Sequence, residues 1–216
     1  MKALAPLALL LALAAPAAQA AVVLTTDGTG YSGPVLDLTG YEGFYTFFNN
    51  PLVLADGVTV TPVGTDGQGG SVIGIGGGYG LDSNGASITT TIIGTNWLEG
   101  YIELTFTSLV SSFGGLFNYA PGYGDNPFLA AYDGLGNLLG SFDLSVLAPI
   151  STPGGIDVFD FRGIESDASD IASIRFGGSY LIYAAPNVAP IPVPAALPLM
   201  LVALGALGVA ARRRRS

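Results

Sequence analysis

Between residues 21 and 183 the apolar positions come in short runs that alternate with polar ones. In EGYIELTFT, residues 99–107, Tyr101, Glu103, Thr105 and Thr107 fall on one side of an extended chain, and Ile102, Leu104 and Phe106 fall on the other. Period two with one dry face predicts a half-buried strand. Runs of this kind, rich in Val, Ile, Thr, Phe and Tyr, predict strands at 21–25, 43–48, 58–62, 71–75, 86–93 and 101–107. More follow at 112–118, 128–132, 138–144, 156–162, 171–176 and 180–183. Between them stand Thr26-Asp27-Gly28-Thr29-Gly30, Asp56-Gly57, Asp66-Gly67, Asp82-Ser83-Asn84-Gly85 and Asp133-Gly134, residue types that close turns. Residues 64–87 are glycine-dense and read either as one long loop or as two short strands with a wide turn. No stretch of this body sustains a helical period. The pattern predicts an all-β fold, a β-sandwich of jelly-roll type. An open barrel or a β-solenoid is the alternative, and the lack of a fixed repeat counts against the solenoid.

The two ends break the pattern. Residues 1–20, MKALAPLALLLALAAPAAQA, have one lysine, an apolar run and Ala18-Gln19-Ala20. This predicts a signal-peptide helix cut after Ala20 by signal peptidase. A membrane anchor is the other reading; the run is short for one and carries Pro6 and Pro16. At the other end, Ala195 to Ala211 has no charge and spans about 26 Å as a helix. Counting from Ile191 gives enough length for a single transmembrane helix in the precursor. Pro198 sits in its first turns, where a membrane helix tolerates it. Arg212, Arg213, Arg214 and Arg215 then form a topological stop that stays cytoplasmic, with the body outside the inner membrane. The predicted organisation is a leader at 1–20, a β domain at 21–183, a Pro/Ala linker at 184–190 and a tail at 191–216.

Charge narrows the function. All 16 acidic residues lie between Asp27 and Asp170, and the only basic residues of the body are Arg162 and Arg175. The body is therefore far more acidic than the formal −9 of the whole chain. Phosphate backbones would be repelled, which excludes nucleic acid as a partner. The chain has no cysteine and no histidine. Disulfides, thiol catalysis, cysteine zinc sites and the usual base of serine hydrolases are excluded with them.

Ile191-Pro192-Val193-Pro194-Ala195, the apolar stretch and the arginine cluster stand in a fixed order. This composite resembles the PEP-CTERM class of sorting tails, and within it the VPLPA-CTERM variety, with Ile for the first Val and Val for Leu. The resemblance covers the last 26 or so residues. It implies that an exosortase, an integral-membrane cysteine transpeptidase, reads the tail and cuts near the signature. It also implies a destination at the cell surface or in an extracellular, exopolysaccharide-rich matrix. The body stretches 113–144 and 161–178 resemble the β-sandwich bodies common in such proteins, a likeness of fold and not of activity.

Three kinds of site are read in the body. Tyr119, Tyr123, Asp125 and Asn126, with Phe128 nearby, form an irregular aromatic loop. Rings there would stack on sugars while the polar side chains bond hydroxyls; the competing reading is a plain loop whose aromatics cap the core. Asp157, Asp160, Glu165, Asp167 and Asp170 are the densest acidic run, a calcium-type ligand set without EF-hand spacing. The competing reading is a solvated turn closed by Asp167 or Ser169. A hydrolase working through carboxylates alone is the third. Glu99 and Glu103 lie about 13 Å apart along a strand, too far for a glycosidase pair. Gly76 to Gly80 lacks the Lys-Ser/Thr of a phosphate loop, and Trp97 reads as packing. The expected function is non-enzymatic: a structural or adhesive matrix protein without a resident cofactor, with a carbohydrate-binding module, calcium-assisted or not, as the alternative.

Overall fold

Turns of the kinds just described cut the chain into short strands, which the computed structural model describes over residues 21–41, 45–74, 91–150 and 159–185. The leader with Ala18 and Ala20, the tail from Ile191 to the arginines, Asp157 and the Asp82-Ser83-Asn84-Gly85 turn lie outside the described residues. The chain divides into two compact units, Met1–Ala185 and Pro186–Ser216, and the second lies wholly outside them.

The strands are β1 Val22–Thr25, β2 Thr46–Phe48, β3 Leu52–Val53, β4 Thr59–Val63, β5 Gly70–Ile73, β6 Ile92–Thr95 and β7 Tyr101–Val110. They continue as β8 Ser112–Asn118, β9 Phe128–Tyr132, β10 Leu138–Asp143, β11 Asp160–Ser166, β12 Ile171–Gly177 and β13 Ile182–Ala184, with one helical turn, α1 Leu144–Leu147. The described body is all-β apart from that turn. Its strands pair antiparallel in two sheets, a seven-stranded one ordered β1-β11-β8-β13-β6-β5-β2 and a six-stranded one ordered β10-β9-β12-β7-β4-β3.

Alternation explains the core. In β7, Ile102 and Leu104 are fully buried, Tyr101 and Glu103 are half-buried, and Thr105 and Thr107 face solvent. Both sheets feed one hydrophobic cluster. Its centre is aromatic: the Tyr183 ring lies 5.4 Å from Phe113 and from Phe117, and 6.1 Å from Phe176 of the other sheet. A Cβ on Gly115 would overlap the Tyr183 ring, so the glycine in β8 makes room for it.

Several expectations change. β3 is too short to stand out in the sequence. The strand expected over 138–144 stops at Asp143, whose carboxylate accepts from Ser145 N at 2.9 Å and turns Leu144 into α1. β11 runs on to Ser166 because β1 and β8 both pair with its second half. The strand expected at Tyr180 starts at Ile182, since Ser179 and Tyr180 take left-handed φ of 50° and 53°. Part of the glycine-dense stretch forms β5. Ala184, expected to open the linker, is instead the buried last residue of β13.

Candidate functional site

The aromatic loop joins β8 to β9 and borders a pocket of about 290 Å³ lined by Tyr119, Gly124, Asn126, Ser145, Ile150 and Ser179, among others. Tyr119 is only 3 % exposed, and its hydroxyl accepts from Ile150 N at 3.2 Å. It lines the pocket but offers no open ring face, which corrects its reading as a stacking platform. Tyr123 is exposed, with its ring 6.5 Å from that of Tyr180. Asp125 is exposed too, and its carbonyl accepts from the Ser179 hydroxyl at 2.7 Å. Asn126 donates to Asp143 Oδ2 at 2.7 Å. The Asp143 carboxyl is held below the usual range by the Ser145 hydrogen bond first, burial opposing it and Asn126 adding to it. Phe128, beside the loop, is the first residue of β9, where the strand expected at 128–132 begins. The structure thus brings Tyr119 and Asn126 together at one pocket. Ser179 ties the loop down from a strained turn, through Ala120 N to Ser179 O at 2.8 Å and Ser179 N to Leu98 O at 3.1 Å.

The acidic run is dispersed. Asp160 pairs with Arg162 Nη1 at 2.9 Å. Asp170 accepts from Ser166 Oγ at 2.8 Å, and Ser166 Oγ accepts from Ala168 N at 3.2 Å. Ser166, not Asp167 or Ser169, therefore closes the turn. Glu165 lines a separate polar cleft of about 230 Å³ with Asp27, Tyr31 and Ser112. Burial pushes the Tyr31 phenol well up, and its hydroxyl already donates to Pro34 O and accepts from Gly114 N. It is a fixed structural group rather than an activated one. Among the described residues, no group of three or more carboxylates is gathered closely enough to hold a metal ion.

Sequence reasoning missed the outer face of the six-stranded sheet. Arg175 of β12 stands opposite Glu103 of β7, and its Nε donates to Glu103 Oε1 at 2.8 Å. Its guanidinium lies 4.0 Å from the Tyr132 ring centre and 5.2 Å from that of Tyr101. Burial disfavours the charged guanidinium, but the hydrogen bond and charge of Glu103 outweigh it and hold Arg175 above its ordinary value. Each residue lies on the polar side of its own strand, a signal visible in sequence. Their convergence depends on β12 lying between β7 and β9, which sequence does not encode locally.

Comparison with protein families, with curated proteins and with solved structures finds no match for this chain. Among the described residues, no helix is long and apolar enough to cross a membrane.

Proposed function

We propose that the chain is an exported, non-enzymatic protein of the cell surface or extracellular matrix, with a jelly-roll-like β-sandwich body and a structural or adhesive role linked to exopolysaccharide. The observation that carries this reading is the order of Ile191–Ala195, apolar stretch and Arg212–Arg215 at the C-terminus. The body supports it. The last strand among the described residues, β13, ends at Ala184, upstream of the signature, so a cut in the tail removes none of the described core. From β6 to β13 the chain passes repeatedly between the two sheets, as jelly rolls do.

The test is the intact mass of the protein recovered from the envelope and medium of its native host. A species ending near Pro194 or Ala195 is the expected result. A species in the inner membrane that still carries Arg212–Arg215 would make the tail a plain anchor and sink the sorting reading.

The pocket beside Asn126 favours a second reading, a carbohydrate-binding module. Its volume is at the lower end of small-molecule sites, which run from roughly 300 Å³ upward, so it suits a single sugar ring. Binding of the host's polysaccharide that disappears in Asn126→Ala is the result expected of this reading; binding untouched by that change would count against it.

A further inference from the structure

Pairing registers set three residue rows across the six-stranded sheet. One runs Thr59, Thr105, Ser173, Tyr132, Leu138; the next Thr61, Glu103, Arg175, Ala130, Ser141; the third Val63, Tyr101, Gly177, Phe128, Asp143. The centre of this face is half-buried and combines rings with polar groups. Gly177 stands between Tyr101 and Phe128, where a Cβ would overlap the Tyr101 backbone, and the two rings meet edge-on at 6.1 Å across it. On the far side of Arg175, the small Ala130 leaves space that the guanidinium shares with Tyr132.

The polar capacity of this centre is unspent. Among the described residues Arg175 uses only Nε, on Glu103, and both terminal amino groups have no hydrogen-bond partner. The second carboxylate oxygen of Glu103 and the hydroxyls of Tyr101 and Tyr132 have none there either. Arg175 and Glu103 are 29 % and 23 % exposed, so these groups are held in place yet reachable. The ion pair cancels its own charge. On a strongly acidic body, this centre is a locally neutral surface of aromatic rings and hydrogen-bonding groups.

We propose that this face, centred on Tyr101, Glu103, Arg175 and Tyr132, is a binding platform for an uncharged polysaccharide. It rests on the carbohydrate reading above and gives that reading a second, broader surface. Sugar C–H faces would pack on the rings, and adjacent hydroxyls would donate to Glu103 and accept from the Arg175 amino groups. From β4 to β10 the face is about 19 Å wide at normal strand spacing, room for a run of several rings where the pocket takes one. An anionic polymer finds no uncompensated cation here, and the acidic body repels it.

The experiment is gel retardation of the full protein, recovered from host cells carrying each variant. The gels contain either the uncharged or the anionic fraction of the host's exopolysaccharide. The wild type is expected to be retarded by the uncharged fraction only. Arg175→Met and Tyr132→Ala are each expected to weaken apparent affinity tenfold or more, and Arg175→Lys to restore part of it. Tyr101→Phe/Tyr132→Phe keeps both rings and removes only hydroxyls, so it tests the site even where Tyr132→Ala fails to fold; a threefold or larger loss is expected. Val23→Ala, an exposed change on β1 of the seven-stranded sheet, should change nothing. Retardation that survives the Arg175 and tyrosine changes overturns the platform, and its loss in Asn126→Ala then leaves the pocket reading standing. No retardation of the wild type overturns both readings, and retardation by the anionic fraction alone overturns the platform.

Discussion

Arg162 and Arg175 are the two cations of the body, and the fold uses them in opposite ways. Arg162 is 3 % exposed and donates to the carbonyls of Ala148, Pro149 and Phe161, while its partner Asp160 faces water. Arg162→Ala strands those carbonyls and should cost about 3–5 kcal/mol, read as a shift of the urea midpoint. Asp160→Asn removes only an exposed partner and should cost less than about 1 kcal/mol; equal losses would show the ion pair, not the carbonyl bonds, to be what matters. Tyr183 presents the reverse situation. Its ring is the aromatic hub, yet among the described residues its buried hydroxyl has no well-formed hydrogen bond, only a weak backbone contact at Leu36. Tyr183→Phe should therefore leave stability unchanged or raise it by about 1 kcal/mol. Acid sensitivity is also set by single residues. Asp133 is held below its usual value by the Asn137 side chain first and by turn amides after it, and Asp27 and Asp37 by Thr29 and Thr39. Folded values below the unfolded ones mean stability present above about pH 4 and lost as pH falls through the folded values. The melting temperature should hold from pH 7 to 5 and drop below 4, with a shallower drop in Asp133→Ala.

Strands differ in how openly the sequence announces them. β7, β8 and β9 were legible because each alternates cleanly or forms a run bounded by turn residues. β3 and α1 were not: two residues carry no period, and α1 depends on one cap, for which Asp143 followed by Leu-Ser was the available sign. Of the sites, Asn126 was readable as an exposed polar residue in an aromatic loop, whereas the burial of Tyr119 follows from Ile150, distant in sequence. The polar side of each strand was visible, but the Arg175 centre needed the order of three strands and could not be assembled from the sequence. Glycine inside β8 shows how local sequence and tertiary packing trade. By propensity Gly115 weakens the strand, but here it accommodates Tyr183. Gly115→Ala should destabilise by about 1–3 kcal/mol because a fully buried ring has nowhere to move. In Gly115→Ala/Tyr183→Leu much of that loss should return, and a double mutant that is merely additive would argue against the overlap.

At the scale of the whole molecule, the seven-stranded sheet is closed by its last strand in sequence, not by an edge strand. β13 lies between β8 and β6, pairing with both, and Ile182, Tyr183 and Ala184 are all buried. Without it, the sheet splits into β1-β11-β8 and β6-β5-β2, and the aromatic centre loses its hub. Deleting side chains the size of Ile and Tyr costs about 2–5 and 3–5 kcal/mol, before any lost ladder bonds are counted. That approaches the roughly 5–15 kcal/mol by which a whole domain is stable. A chain ending at Ser179 should therefore show no cooperative thermal transition by circular dichroism. A chain ending at Ala185 should melt like the full-length protein, because every described core residue is still present. On the sorting reading, a cut beyond Ala185 is expected to spare every described core residue, and a cut a few residues earlier to remove β13. If the chain ending at Ser179 melts cooperatively at the full-length temperature, β13 is dispensable, and the separation between body and tail on which the sorting reading leans is wrong.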